Sequence, residues 1–590
     1  MARFSAIGVD LGTTNTMVAA VAGGGHTEVL RDREGHSSIP SVVLFDDDRT
    51  IVGHEARLRG RNKPQRLIGC AKLDLGRQYC RNRVDNAQIP PEVIQACILN
   101  TVRAEMICGV EGEVSVVIAV PAHFNEMQRQ ATAAAGEMAG LRVLDIINEP
   151  VAAVVAYGEH TPWLTGTQST ETQRHLLAFD LGAYTFEATL LDISAGTIST
   201  KATEYLSHLG GHDWDLCLAG YLAEHFASKH GVDPRDDAFG LDRVVSLAAR
   251  AKLALSRRSH ATVTVEFAGK QEIVRVTRDD FERVTAGLVD QLLKVCDRLL
   301  RQAGLKWEDL SQVPLVGGST NMPMIQQAIK SRTGWTPVAR VNPDEAVARG
   351  AAMHAVALLQ ARSTSVQEPR FRVKNVSTHS LGIVGVDPQT GRKINKILIP
   401  RGTPLPASAT REFITKHASQ QSITVDVLEG EGLNPNECVP LGRVVIRHLP
   451  EDMPDQWPVE VTYSYATNGR LSVDARIRYT DRTVHLETLR LNGVSEAHLQ
   501  RWKQVVTMAP GFQKYREVVE WERQSMAPPI VLATTPEPPA PQEQTGHWAF
   551  LQRLVPFVFR RPNVAAVETH SNPMATRPTG TATPLAPENR

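Results

Sequence analysis

Asp10 and Asp180 each stand near the end of an apolar run and are followed at once by Leu-Gly and a short hydroxyl-bearing turn. The first stretch is Ala6-Ile7-Gly8-Val9-Asp10-Leu11-Gly12-Thr13-Thr14-Asn15-Thr16, and the second runs from Leu176 through Asp180-Leu181-Gly182-Ala183-Tyr184-Thr185. Strand, tight turn and returning strand are the expected form of both. Such a glycine turn lets the backbone approach a ligand, and its N–H groups with the Thr hydroxyls make a nest for an anion. A carboxylate at the mouth of that nest would repel bare phosphate, so a bridging cation such as Mg²⁺ is implied. A third glycine turn, Val316-Gly317-Gly318-Ser319-Thr320, follows a short apolar run. Two Asp-Leu-Gly hairpins, one in each half, predict two similar lobes clamping one phosphate chain.

At 590 residues the chain exceeds a single core and implies several domains. Lys+Arg and Asp+Glu both number 64, which disfavours a general nucleic-acid binder. The seven cysteines are scattered and form no C-x-x-C pair, so reduced thiols in a cytoplasmic protein are expected rather than a cysteine zinc site. The chain enters a strand almost at once, without a signal-peptide pattern, and no uncharged apolar run has membrane-spanning length.

The elements that would position the acidic hairpins follow from pattern. Pro91–Gly109 reads as a helix with Pro in its first turn. The apolar run Val114–Val120 reads as a buried strand, and Asn125 with Gln128 forms a capping-box signature for the next helix. Another strand, Leu141–Ile147, leads through Asn148-Glu149-Pro150 into an Ala/Val-rich helix. Alternation of this kind predicts an α/β lobe. A second lobe is expected from Asp180 to about Ala361, with helices near Trp214–Lys229, Leu241–Ser256 and Arg278–Gly304. Beyond a polar linker at 362–375, residues 376–493 alternate in short runs, and Asn468-Gly469 marks a hairpin turn. This texture predicts a separate β domain. Short helices are expected within 494–525, and a Pro-rich disordered tail over 526–590.

Taken in order, these motifs resemble the Hsp70 chaperone family over roughly residues 3–525. The resemblance rests on Asp10-Leu11-Gly12-Thr13-Thr14-Asn15, Val120-Pro121-Ala122-His123-Phe124-Asn125, Asn148-Glu149-Pro150, Asp180-Leu181-Gly182, His208-Leu209-Gly210-Gly211, Gly317-Gly318-Ser319-Thr320 and Asn342-Pro343-Asp344-Glu345-Ala346. In the β domain it continues through Ser380-Leu381-Gly382-Ile383 and Leu428-Glu429-Gly430-Glu431. Actin-like sugar kinases share the duplicated lobes but lack that β domain. The resemblance implies an actin-like ATPase domain over 1–361, a β-sandwich peptide-binding domain and a shortened helical lid. It further implies ATP or ADP with Mg²⁺ near Asp10 and Asp180, and Glu149 beside the attacking water. Thr185 would lie beside the γ-phosphate. Gly12, Thr13, Thr14, Asn15, Gly182, Gly210 and Gly211 would line the phosphates. Lys252, Ser256, Gly317, Gly318, Ser319 and Asp344 would hold the nucleoside. Ile383, Phe413, Ile423 and Val425 would form a pocket for one side chain of an extended client. A J-domain co-chaperone and a nucleotide exchange factor are the partners implied.

Four departures bear on activity. The family's Lys-Arg-Leu-Ile-Gly reads Gln65-Arg66-Leu67-Ile68-Gly69 here, placing an amide where a cation is expected; Lys63, two residues upstream, is disfavoured as a substitute because Pro64 stiffens the join. Ala183 and Tyr184 replace glycines, at a cost of about 1–2 kcal/mol if either has positive φ. Ala249, Leu253 and Asn321 replace polar residues that would contact adenosine, which predicts weaker nucleotide binding. The linker residues Ser363–Arg370 are polar and include Pro369, which puts coupling between the domains in doubt. Slow hydrolysis is therefore expected, and the competing reading is a non-catalytic scaffold of the same family. In the tail, Trp548–Arg561 is an apolar run with flanking Arg. A loosely collapsed cluster is the expectation there, ahead of contact with a membrane surface or with the molecule's own groove.

Overall fold

The computed structural model describes residues 6–22, 25–107, 113–159, 173–194, 196–337, 341–362, 371–387, 389–415, 422–447, 456–466, 471–478, 483–487 and 496–525. The tail segment Trp548–Arg561 and the polar stretch Ser363–Arg370 lie outside the described residues, as does the Asn468-Gly469 turn.

In the first lobe the strand Ile7–Leu11 pairs antiparallel with Asn15–Val21 and parallel with Ser115–Val120, which pairs in turn with Arg142–Asn148. The near-continuous apolar character of Ser115–Val120 suits a strand buried on both faces. A small sheet of Val42–Phe45, Thr50–Val52 and Leu67–Gly69 carries helix α1 (His54–Arg59). Helix α2 (Pro91–Glu105) has proline in its first turn, as expected. Helix α3 (Glu126–Met138) begins with the expected capping box: Asn125 accepts from the Gln128 N–H, and the Gln128 side chain accepts from the Asn125 N–H. Helix α4 (Glu149–Gly158) follows directly on its strand.

The second lobe repeats the plan. Arg174–Leu181 pairs antiparallel with Phe186–Ser194 and parallel with the short strands Leu310–Gln312 and Leu315–Val316. Its helices are α5 (Gly211–His230), α6 (Ala238–Leu255), α7 (Arg278–Gln302) and α8 (Pro323–Thr333). Helix α9 (Ala346–Arg362) then returns to the first lobe and packs on α4 and on the strand Ile7–Leu11. That approach depends on two glycines. A Cβ on Gly350 would lie 1.7 Å from the Ala152 carbonyl oxygen, and one on Gly8 2.1 Å from the Ala352 nitrogen.

The β domain is a pair of four-stranded antiparallel sheets, ordered Lys393–Ile399, Leu381–Val386, Ser422–Glu429, Val439–Arg447 and Ala407–Ile414, Pro458–Tyr465, Leu471–Ile477, Thr483–Glu487. Strict alternation along Pro458–Tyr465 buries Val459, Val461, Tyr463 and Tyr465 between the sheets. This domain contacts both lobes. Glu429 accepts from the Glu126 N–H at the start of α3 (3.1 Å), and Arg401 donates to the Thr203 carbonyl (2.8 Å). Phe371 is buried, and Arg372–Lys374 adds a parallel edge strand beside Thr197–Ser199. The chain entering the β domain thus joins the second lobe's sheet through residues just beyond the polar stretch.

Helices α10 (Glu496–Met508) and α11 (Phe512–Ser525) pack into the core of the first lobe. Trp502 and Tyr515 are fully buried, and the Tyr515 and Phe512 rings lie 4.8 Å and 5.7 Å from Phe45. The turn between them is tied to the small sheet by Thr50 N–H to Ala509 O (3.1 Å) and Phe512 N–H to Asp46 O (3.0 Å). Asn100 on α2 donates to the Val506 carbonyl (3.0 Å). The short helices expected as a lid remnant pack on the first lobe here. No helix among the described residues is long and apolar enough to cross a membrane.

Glu522 on α11 is buried and accepts from the Trp502 indole N–H (2.6 Å). Burial raises its pKa from 4.5 to about 7, despite the Trp502 bond, and Glu92 adds to the rise. The folded state therefore keeps a proton that the unfolded chain releases. The stability this confers is complete below pH 4.5 and is lost as pH rises through about 7. Glu522→Gln keeps an acceptor for Trp502 and removes the charge. It should raise stability at pH 8 by about 2–3 kcal/mol and flatten the pH 4.5–7 decline seen in thermal unfolding of this lobe.

Candidate functional site

Asp10 and Asp180 occupy equivalent places, each one residue before the end of an interior strand of its sheet that pairs antiparallel with the next strand and parallel with a later one. Asp10 lies in register with Met17 and Ala119, and Asp180 with Glu187 and Val316. The two carboxylates are close enough that Asp10 contributes to the rise in the Asp180 pKa. Glu149 is the first residue of α4, and the preceding Asn148 is fixed by Arg129, which also donates to the Phe124 carbonyl.

The cation of the site is Lys72. It comes from the short 3₁₀ turn Ala71–Asp74, entered through Cys70 in the left-handed conformation (φ 56°). Its Nζ lies 2.6 Å from Glu149 Oε1, with both side chains largely buried. Burial opposes a charged Lys72, but Glu149, Asp10 and Asp180 outweigh it and hold the ammonium above its ordinary range. The amide expected to stand in for the cation, Gln65, is exposed on the surface. Lys63, the less favoured substitute upstream, pairs with Asp46 at 2.5 Å. The motif alignment at Arg66-Leu67-Ile68-Gly69 misplaces the cation because the following 3₁₀ turn, not the strand, turns its lysine inward. One sequence signal points there: Lys63 and Lys72 are the only lysines before Lys201, in a lobe otherwise rich in arginine.

The electrostatics call for a further positive charge. Burial first, then Glu149, raises the Asp10 pKa to about 7, while Lys72 pulls it down. Asp180 is raised well above the ordinary carboxylate range by burial, then by Glu149, Glu187 and Asp10. Three carboxylates thus share one ammonium. An all-oxygen, net-negative donor set of this kind fits a hard divalent cation such as Mg²⁺.

The glycine turns are held by their surroundings. Ser41 donates to the Gly12 carbonyl (2.8 Å) and its N–H to the Thr14 carbonyl (2.9 Å), fixing the first hairpin, in which Thr13 and Thr14 are half-buried and Asn15 exposed. In the second, the Gly182 N–H bonds to the Thr185 carbonyl (3.0 Å) and Ser319 donates to the Gly182 carbonyl (3.0 Å). Ser41 is not foreseeable from sequence, where a lone serine before an apolar strand carries no signal. Lys252 ties α6 to α5 through Asp215 (2.9 Å) and the Gly211 carbonyl (2.5 Å), and Ser256 Oγ donates to the Lys252 carbonyl. Gly210 and Gly211 abut Tyr184 and Ser319, and Gly318 abuts Asp344; a Cβ on any of them would approach to 2.4 Å or less. Asp344 is bonded by Asn321 (3.2 Å), and Gly317 has φ +81°, the conformation that favours glycine. Ala183 and Tyr184 do not have positive φ, so the strain weighed for them does not arise. Tyr184 instead lies near enough to Cys70 across the lobes to act on its thiol, and packs 5.1 Å from the His212 ring.

The description "Hsp70 protein" belongs to the family model that matches residues 6–527. The chain belongs to the Hsp70 family. It is 34% identical over 527 residues to the chaperone protein DnaK of Thermus thermophilus, covering 84% of this chain and 82% of that one. The DnaK of a second strain of that organism gives the same identity and coverage. The chain is thus a DnaK-like member of the family, with α/β lobes followed by a β-rich domain. Of the pocket residues the resemblance implied, Ile383 and Val425 are buried in the β-domain core, and Phe413 and Ile423 are packed against it but partly open.

Proposed function

We infer that this Hsp70-family chain is a chaperone that binds ATP with magnesium between its lobes, hydrolyses it, and holds extended apolar segments on its β domain. The observation that carries the reading is the buried Lys72–Glu149 pair beside Asp10 and Asp180. Asp10 and Asp180 would hold the cation, and Thr13, Thr14, Asn15 and Thr185 would donate to phosphate oxygens. Magnesium bound there would offset phosphate charge and polarise the γ-phosphoryl group. Glu149, its carboxylate fixed by Lys72, would accept from the attacking water and orient it. Lys72 would place positive charge where the transferred phosphoryl develops negative charge. Lys252, Ser256, Gly317, Gly318, Ser319 and Asp344 would border the nucleoside, with Gly210 and Gly211 at the phosphates. A J-domain co-chaperone, an exchange factor and a cytoplasmic setting follow by family analogy. The working division is an ATPase domain over 1–361 and a β domain over 376–493, with 494–525 assigned to the first lobe.

Single-turnover ATP hydrolysis with magnesium tests this reading. Turnover in the native protein that Asp10→Ala abolishes supports it. Nucleotide binding without turnover would replace it with a non-catalytic scaffold. For the β domain, Ile423→Asp should weaken binding of an extended apolar peptide at least tenfold by fluorescence anisotropy and leave basal turnover unchanged, because Ile423 is only partly buried. Unchanged affinity would move the peptide site elsewhere.

A further inference from the structure

Three metal-ligating side chains that the nucleotide site does not use meet on the first lobe: Asp32, His36 and His54. Their donor atoms all lie within 4.8 Å of one another. Asp32 and His36 stand on the loop between Thr27–Val29 and Ser38–Pro40, and His54 opens α1. The loop is built around Asp32. Its Oδ1 accepts from the Glu34 N–H (3.0 Å) and the His36 N–H (2.8 Å), while Oδ2 lies 3.0 Å from His36 Nδ1. The two imidazoles stack with centroids 4.1 Å apart and planes 28° apart. His54 Nε2 lies 3.3 Å from the Ser38 carbonyl oxygen. Glu34 Oε2 is 3.7 Å from His36 Nδ1.

These distances suit a zinc-class ion. Tetrahedral zinc at about 2.0–2.2 Å from N and O donors places those donors about 3.3–3.5 Å apart. The Asp32–His36 separation already lies near that spacing; the two imidazoles, stacked with planes 28° apart, rotate about their side-chain bonds to aim both in-plane lone pairs at one ion. When His54 Nε2 donates to Ser38, its Nδ1 keeps the lone pair, a tautomer set by an outer partner as in known histidine metal sites. Two imidazoles with a carboxylate favour zinc, copper or nickel over magnesium. Both histidines are exposed, so an ion reaches the site without any opening of the lobe.

We propose that Asp32, His36 and His54 bind one zinc-class divalent cation, with Glu34 or water as fourth ligand, clamping the 32–38 loop to the start of α1. The test titrates zinc chloride into the chelator-stripped full-length chain, without nucleotide, by calorimetry. The comparison is with His36→Gln/His54→Gln, since the cysteines and the acidic cleft can take zinc in both proteins. The native chain should bind one equivalent more than the double variant. Asp32→Asn should weaken that equivalent about 10–100-fold, and magnesium chloride should show no difference between the proteins. Equal zinc stoichiometry and affinity in both, or a difference appearing with magnesium instead, overturns the proposal. Circular dichroism checks that the double variant folds. If it does not, His54→Gln alone carries the comparison, and an undiminished zinc equivalent in it is equally fatal.

Discussion

Lys72→Gln should slow single-turnover ATP hydrolysis about 10²–10³-fold, the usual loss on removing one transition-state donor. Gln65→Lys should change it little, because Gln65 lies on the surface. Two effects add at Lys72. Among the described residues its ammonium is the one cation named in the shifts of both Asp10 and Asp180, and its Glu149 contact of 2.6 Å orients the carboxylate proposed to hold the water. Without it the Asp10 pKa, already about 7, rises further, so magnesium competes with a proton and binds more weakly at neutral pH. Raising the pH should then recover part of the magnesium affinity and none of the lost orientation. Measuring the magnesium dependence at pH 7 and pH 8.5 separates the two contributions. A Lys72→Gln rate within threefold of the native protein, alongside a gain in Gln65→Lys, would return the cation's role to position 65.

Trp502→Ala should destabilise the first lobe by about 3–5 kcal/mol, as expected for truncating a fully buried aromatic. Its ring lies 6.2 Å from Tyr515, itself sealed against Phe45, and its N–H is a donor to the buried Glu522. The truncation leaves both a cavity and a carboxylate without that donor. Hydrogen exchange should quicken in α2 and in residues 46–50, which the docked helices touch, as well as in α10 and α11 themselves. If 494–525 served only as a lid, the same change would alter peptide release and leave the exchange of α2 and the small sheet untouched. That contrast decides whether these helices belong to the lobe.

Much of the architecture is written locally. The paired Asp-Leu-Gly hairpins, the Asn125–Gln128 capping box, Pro91 in the first turn of α2 and the alternation of Pro458–Tyr465 all encode themselves within a few residues. In each case the backbone geometry and the side-chain pattern share one period or one turn, so the sequence alone determined two acidic hairpins in α/β lobes and a β domain after them. Tertiary structure decided what those elements face. Lys72 carries no periodic signal, and its direction depends on a left-handed Cys70 and on packing that leads the turn toward Glu149. Helices α10 and α11 show an amphipathic stripe, but a stripe states only that one face is buried and is silent on the surface that receives it. Asp32, His36 and His54 are spread over 23 positions and meet only because the loop before Ser38–Pro40 folds onto the start of α1. Contacts between residues distant in the chain are fixed by how whole elements pack, and no short-range pattern encodes that choice.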